Sequence, residues 1–252
     1  MISKNKIKYI NSLKVKKYRK IEKAFICEGA KIFELLVDSV FRVKDVFATA
    51  KFIADNFSKY TDIQFDEVEE KELSKISSLT TPQEVIAIVE MPDIEIVDSR
   101  IGESLALVLD KIQDPGNLGT IIRIADWFGI EKIICSEDSV DVFSPKVVQA
   151  TMGSIFTVKV YYKNLEDFLQ NAKNQNIPIF GTFMDGENIY STELLSNGII
   201  VLGNEGNGIT PEIEKLISHK ISIPDYNKTK AAESLNVAVS AAIVCAEFRR
   251  RI

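Results

Sequence analysis

The sequence predicts an α/β fold in two parts: a small α/β domain, then a larger one built on a mostly parallel sheet with helices on both faces. Three observations lead there. Short β-branched runs alternate with amphipathic stretches along the whole chain of 252 residues, the pattern of strands and covering helices. Leu105-Ala106-Leu107-Val108-Leu109 is uninterrupted apolar sequence, as strands buried on both faces are. Met91 to Glu103, with Pro92, Asp93, Asp98 and Gly102 and few large apolar side chains, has the turn chemistry of a linker. The expected division is therefore 1–92, a linker at 93–104, and 105–252.

In the first domain the β-branched runs place strands at Ala24–Cys27, Val43–Ala48, Ile63–Phe65 and Val85–Val89. Helical spacing of apolar residues places helices at Ile7–Arg19, Ala30–Val37, Lys51–Phe57 and Glu70–Leu79. In the second, strands follow at Leu105–Leu109, Lys132–Cys135, Thr157–Tyr161, Pro178–Phe183, Ile199–Leu202 and Lys220–Ile223. Helices fall between or after them at Leu118–Phe128, Pro145–Met152, Leu165–Lys173, Pro211–Ile217 and Leu235–Arg250. A sheet of this kind binds ligands beyond the carboxyl ends of its strands.

Composition removes several function classes. With 46% hydrophobic and 27% charged residues the chain can bury a core, which excludes disorder and collagen. Cys27, Cys135 and Cys245 lie far apart with no CxxC pair, and His219 is the single histidine, so neither a zinc centre nor a disulfide scaffold is expected. Lysines interrupt the opening MISKNKIKYI where a signal peptide would be apolar, and the longest apolar run, Val237–Ala246, is too short to span a membrane. A cytoplasmic protein with reduced thiols is expected.

Charge is unevenly spread. Residues 1–23 carry nine Lys or Arg and one acid, Glu22, whereas the whole chain has a net charge of −5. A basic segment on an acidic body suits contact with a polyanion, through counterion release from phosphates. The alternative is a solvated amphipathic helix with Ile7, Ile10, Leu13 and Tyr18 facing the core. Arg249, Arg250 and Arg251 could meet the same partner or offset the negative end of the last helix.

Three loops at strand ends carry the candidate chemistry. The first is Asp110-Lys111-Ile112-Gln113-Asp114-Pro115-Gly116-Asn117, with Arg123 further along the next helix. Pro115 and Gly116 suit a tight turn and Asn117 a helix cap, but Arg123 among Ile121, Ile122 and Ile124 calls for an anionic partner. The second, Gly203-Asn204-Glu205-Gly206-Asn207-Gly208, has the spacing GxxGxG, which is neither the dinucleotide fingerprint nor a P-loop. Its glycines let a flat ligand approach the backbone. In the third, Ile223-Pro224-Asp225 through Ser234-Leu235-Asn236, Ser234 is expected to cap the last helix, with Asn236 in its first turn.

In this order and spacing, DPGNLGTIIRIADWFG, VLGNEGNGI and IP through ESLNVAVSAAI resemble the three signature motifs of the SPOUT superfamily, specifically the SpoU or TrmH family of RNA ribose 2′-O-methyltransferases. DVFSPKVVQATMGSIFTVKV resembles the family's middle segment. Ile10-Asn11-Ser12-Leu13, Glu28-Gly29 and Leu79-Thr80-Thr81-Pro82-Gln83 are similar, more loosely, to the L30e-like substrate-binding domain of the 23S rRNA subgroup.

The resemblance implies a trefoil-knotted catalytic domain that binds S-adenosylmethionine through Leu202, Gly203, Ile223, Pro224 and Leu235. It implies Arg123 as the catalytic residue, either as a base assisted by substrate phosphate or as an orienting cation. Asn117, Glu205, Ser234 and Asn236 then position ribose, phosphate and Arg123, with Glu205 as an alternative base. It further implies a homodimer whose partner subunit helps complete each site, and 23S rRNA as substrate, with tRNA the rival. No metal and no membrane are expected. Two departures stand out: Gln149 where relatives often carry arginine, and a longer Asp225–Ala232 stretch whose Lys228 and Lys230 could alter contact with RNA. A catalytically silent RNA-binding factor of the same fold is the alternative from another class. A nucleotide-dependent oxidoreductase lacks its glycine fingerprint.

Overall fold

The lysine-rich amino end folds as two helices where one was expected, α1 (Lys4–Ser12) and α2 (Lys16–Glu22). Ser3 starts α1 by accepting the Lys6 N–H, and Val15, extended at φ −103°, breaks the chain between the two. Ile10 and Leu13 are fully buried, as expected of the amphipathic reading. The break resets the helical phase, so Arg19 points inward at 2% exposure while Tyr18, expected in the core, stays 43% exposed.

The chain then runs through β1 (Ala24–Glu28), α3 (Ala30–Val37), β2 (Val43–Ala48), α4 (Ala50–Asn56), β3 (Asp66–Glu67), α5 (Glu70–Ile76) and β4 (Val85–Glu90). The sheet order is β1-β4-β2-β3, antiparallel except for the β2–β3 pair. The strand expected at Ile63–Phe65 forms one step later, because the Phe65 ring joins a cluster with Phe33, Phe52 and Tyr60 rather than alternating across a sheet.

Beyond residue 100 come β5 (Leu105–Leu109), α6 (Pro115–Trp127), β6 (Lys132–Ser136), α7 (Pro145–Thr151), β7 (Lys159–Lys163), α8 (Leu165–Asn174), β8 (Ile179–Asn188), β9 (Gly198–Leu202), α9 (Pro211–Glu214), β10 (His219–Ser222) and α10 (Val237–Arg250). Their six strands form one parallel sheet in the order β10-β8-β9-β5-β6-β7. Every residue of the central strands β5 and β9 is buried, which explains their unbroken apolar sequences. Strand order reverses between β5 and β9, so a crevice is expected where the loops after these two strands meet.

The computed structural model describes residues 1–93, 101–226 and 234–250. These cluster into two units, one of residues 1–93 and 141–157, the other of the rest. Residues 94–100 of the expected linker, Lys228, Lys230 and Arg251 lie outside the described residues. Within the first unit, the 141–157 segment packs Phe143 on Phe25, ring centroids 4.7 Å apart, and Phe156 on Phe41 at 5.2 Å.

Of the carboxy-terminal arginines, Arg249 and Arg250 lie in the last turn of α10, where their charge offsets the negative helix end, and each also has a local partner. Arg249 donates to the Phe128 and Gly129 carbonyls, 2.7 and 3.0 Å away, closing the end of α6. Arg250 pairs with Glu247.

Candidate active site

The loop after β5 begins at Asp110, buried at 2% exposure, whose Oδ2 accepts the Thr210 N–H at 2.7 Å. Asp114, rather than Asn117, caps α6: its Oδ1 accepts the Asn117 N–H at 2.8 Å, and Pro115 takes the first helical position instead of a tight turn. The same displacement occurs at α10. There Asn236, not Ser234, is the cap, its Oδ1 accepting the N–H groups of Ala238 and Val239 at 2.9 and 3.3 Å.

These caps fix the direction of a polar relay. The Asn236 oxygen is committed to the helix, so its Nδ2 donates to Asn117 Oδ1 at 3.0 Å. Asn117 then has only its Nδ2 left to turn toward Glu205, and donates to Oε1 at 2.9 Å. The other oxygen, Oε2, accepts from Asn204 Nδ2 at 3.3 Å. One residue from each of the three loops is thereby joined through side chains alone.

Beside the relay opens a cavity of about 510 Å³, within the range of small-ligand sites. Thr182, Phe183 and Met184 of β8 line it, with Leu202 at the end of β9 and residues 203–208 after it, 223–226 after β10, and Ser234, Leu235, Val237 and Ser240. Gly203 sets the shape of the loop that walls it. A Cβ there would lie 2.2 Å from the Gly208 carbonyl carbon, so the loop folds back flush on itself only with glycine at this position.

Of the expected residues, Leu202, Gly203, Glu205, Ile223, Pro224, Ser234 and Leu235 line the cavity. Asn117 and Asn236 join it through Glu205. Arg123 stands apart. It is exposed rather than buried among the isoleucines, does not line the cavity, and makes no hydrogen bond or ion pair among the described residues. Six residues beyond Asn117, it sits about 9 Å along α6 and roughly a third of a turn away around it.

Sequence reasoning missed Asn204 and the β8 residues. Asn204 had a signal, an asparagine directly after a glycine and poised for a local turn; Thr182–Met184, within a strand, had none. His219 is not at the cavity. Its ring stacks on Phe180, centroids 4.8 Å apart. The three cysteines are buried, and burial pushes their thiols well above the ordinary range, away from nucleophilic use. Among the described residues no group of three or more His, Cys, Asp or Glu comes together as a metal site would require.

Comparison with known proteins settles the lineage. Residues 104–246 match the SpoU rRNA Methylase family, more than half of the chain. The chain belongs to that family. Residues 4–87 of this SpoU-family protein match the MRM3-like substrate binding domain. It is 30% identical to the 23S rRNA (guanosine(2553)-2′-O)-methyltransferase RlmP of Bacillus subtilis, over 97% of this chain and 96% of that protein. Among solved structures, a chain from Porphyromonas gingivalis assigned to the TrmH family of RNA methyltransferases superposes with a TM-score of 0.90 at 40% identity, both chains covered completely. An AdoMet-bound rRNA methyltransferase from Sinorhizobium meliloti gives 0.87 at 28% identity, covering 100% of this chain and 97% of that one.

Proposed function

We propose that this SpoU-family protein transfers a methyl group from S-adenosylmethionine to a ribose 2′-hydroxyl of 23S rRNA, in the cytoplasm, as a homodimer with a knotted catalytic domain. The observation that carries the reading is the Asn236–Asn117–Glu205 relay on the rim of a cavity lined by all five residues expected to hold the cofactor. A full-length relative named for a 23S nucleotide favours rRNA over tRNA. The intact relay speaks against a silent factor.

The cavity fits the cofactor in kind: a flat glycine backbone at Gly203 for close approach, apolar walls from Leu202, Ile223, Pro224 and Leu235, and Met184 and Tyr226 exposed at its lining. When bound, S-adenosylmethionine supplies an electrophilic methyl group. The protein's task is to align the hydroxyl and help remove its proton. Asn117 and Glu205 are held rigidly enough to orient a ribose, and Ser234 adds a hydroxyl at the same cavity. Arg123, as an orienting cation, stabilises the alkoxide as it forms.

Arg123 does this across the dimer. On its helix Ile124 and exposed Trp127 form an apolar stripe, and on α10, which packs against α6, Val239, Ala242 and Ile243 form another at helical spacing. In this reading a second copy covers these stripes and brings its own guanidinium to the cavity.

The basic segment divides into structural and free cations. Lys6 pairs with Asp45, Lys14 donates to the Ser77 carbonyl, Arg19 binds Asp141 and Lys23 meets Asp93. Lys4, Lys8, Lys16, Lys17 and Lys20 are exposed and make no ion pair or hydrogen bond among the described residues. These five are the phosphate contacts in this reading. Removing residues 1–20 would strip buried Ile10 and Leu13 from the core, so the arm is tested by substitution. Lys16, Lys17 and Lys20 replaced together by Glu are expected to weaken RNA binding and lower its log–log salt slope by about 2 to 3. An unchanged slope excludes the arm from RNA contact.

The activity itself is tested with the purified chain, 23S rRNA and methyl-labelled S-adenosylmethionine, with 2′-O-methyl nucleotides read after digestion. Label is expected in the wild-type reaction and none with Gly203→Ala, whose extra methyl cannot fit against Gly208. Wild-type protein that binds cofactor yet labels neither naked rRNA nor ribosomal particles overturns the reading.

A further inference from the structure

We infer that Asn204 is a positioning residue of the active site: its carboxamide aims the Glu205 carboxylate at Asn117 and locks the second loop to the first. The inference rests on the methyl-transfer reading above. Asn204 uses its whole side chain. Oδ1 accepts the N–H groups of Gly206 and Asn207 at 2.9 and 3.1 Å, while its backbone exchanges bonds with Gly208 at 2.9 and 3.0 Å, curling residues 205–207 into a tight loop. Nδ2 turns the other way. It donates to the Lys111 carbonyl at 2.7 Å and to Glu205 Oε2 at 3.3 Å.

Both acceptors need that donor. Among the described residues, the Glu205 carboxylate is held only by the side chains of Asn117 and Asn204, so losing one leaves it free to turn. Lys111 sits in the left-handed region at φ 55°, which costs a non-glycine residue energy unless its surroundings hold it there. It is gripped from two sides, its N–H by Ser136 Oγ at 2.9 Å and its carbonyl by Asn204. The segment so anchored leads directly to Asp114 and Asn117. One amide thus sets both ends of the Asn117–Glu205 contact.

Aspartate at 204 separates loop shaping from aiming. It keeps the acceptor that curls the loop, loses both donors, and sets a second carboxylate beside Glu205. Alanine loses both functions. In full-length protein, Asn204→Asp is expected to bind S-adenosylmethionine within about threefold of wild type by calorimetry while its single-turnover methyl-transfer rate falls about 30-fold; Asn204→Ala is expected to lose on both measures. In a Glu205→Gln background, adding Asn204→Asp is expected to cost less than about threefold further, because the residue acts through Glu205. A wild-type rate for Asn204→Asp, cofactor binding lost as fully as in Asn204→Ala, or penalties that multiply in the double variant would each overturn the inference. An inactive wild type would remove the underlying methyl-transfer reading instead.

Discussion

Replacing Arg123 with alanine is expected to lower the single-turnover rate of methyl transfer by about 10³-fold, with S-adenosylmethionine affinity and thermal stability unchanged. The two unchanged quantities follow from the structure. Arg123 is exposed and unpartnered among the described residues, so nothing in the fold is lost with it, and it does not line the cavity of its own chain. The loss in rate follows from its charge, which is the feature that can oppose an alkoxide forming at the substrate. Mixing two inactive proteins then decides whose cavity it serves. After exchange of subunits between Arg123→Ala and Gly203→Ala homodimers, a guanidinium acting across the interface restores about a quarter of wild-type activity, since half the dimers are mixed and each has one intact site. A guanidinium acting within its own chain restores none. Recovery fixes the dimer and the trans geometry together, and full activity in the Arg123→Ala homodimer removes the residue from catalysis.

Much of this architecture was legible because parallel sheets write themselves plainly. Leu105–Leu109 and Ile199–Leu202 are apolar throughout since both faces are covered, and the loops that follow them carry the polar residues of the site. The caps were less legible. Asp114 and Asn117 are both good cap residues three positions apart, and Pro115, suited to the first helical turn, was the clue favouring the earlier one. Ser234 and Asn236 offered the same ambiguity without a proline to break it. In both loops the misjudged residue matters: Asn117, freed from capping, reaches Glu205, and Asn236 caps with its oxygen while reaching Asn117 with its nitrogen. The setting of Arg123, not its role, was misread, and for a different reason. Three isoleucines around it suggested burial, but a helix on a sheet buries one stripe only, and the arginine lies off it.

Arg19→Ala is expected to be strongly destabilising, costing about 3–5 kcal/mol and lowering the melting temperature by on the order of 10 °C. Its Nε and Nη2 reach Asp141 Oδ2 at 3.1 and 2.6 Å, and Nη1 donates to the Leu13 carbonyl at 2.8 Å. That carbonyl lies where the chain turns from α1 to α2, and Asp141 opens the segment that brings Phe143 and Phe156 to this unit. One guanidinium therefore holds two chain segments together. Alanine leaves the Asp141 oxygen without its cation and the carbonyl without its donor, and burial makes both losses expensive. The attraction between the charges themselves is a smaller matter, because desolvation offsets much of it. Arg19→Met combined with Asp141→Leu, which removes both charges and keeps apolar volume, is accordingly expected to melt well above Arg19→Ala. Equal melting temperatures for the two variants would show that packing around the Arg19 stem, rather than the stranded carboxylate, sets the cost.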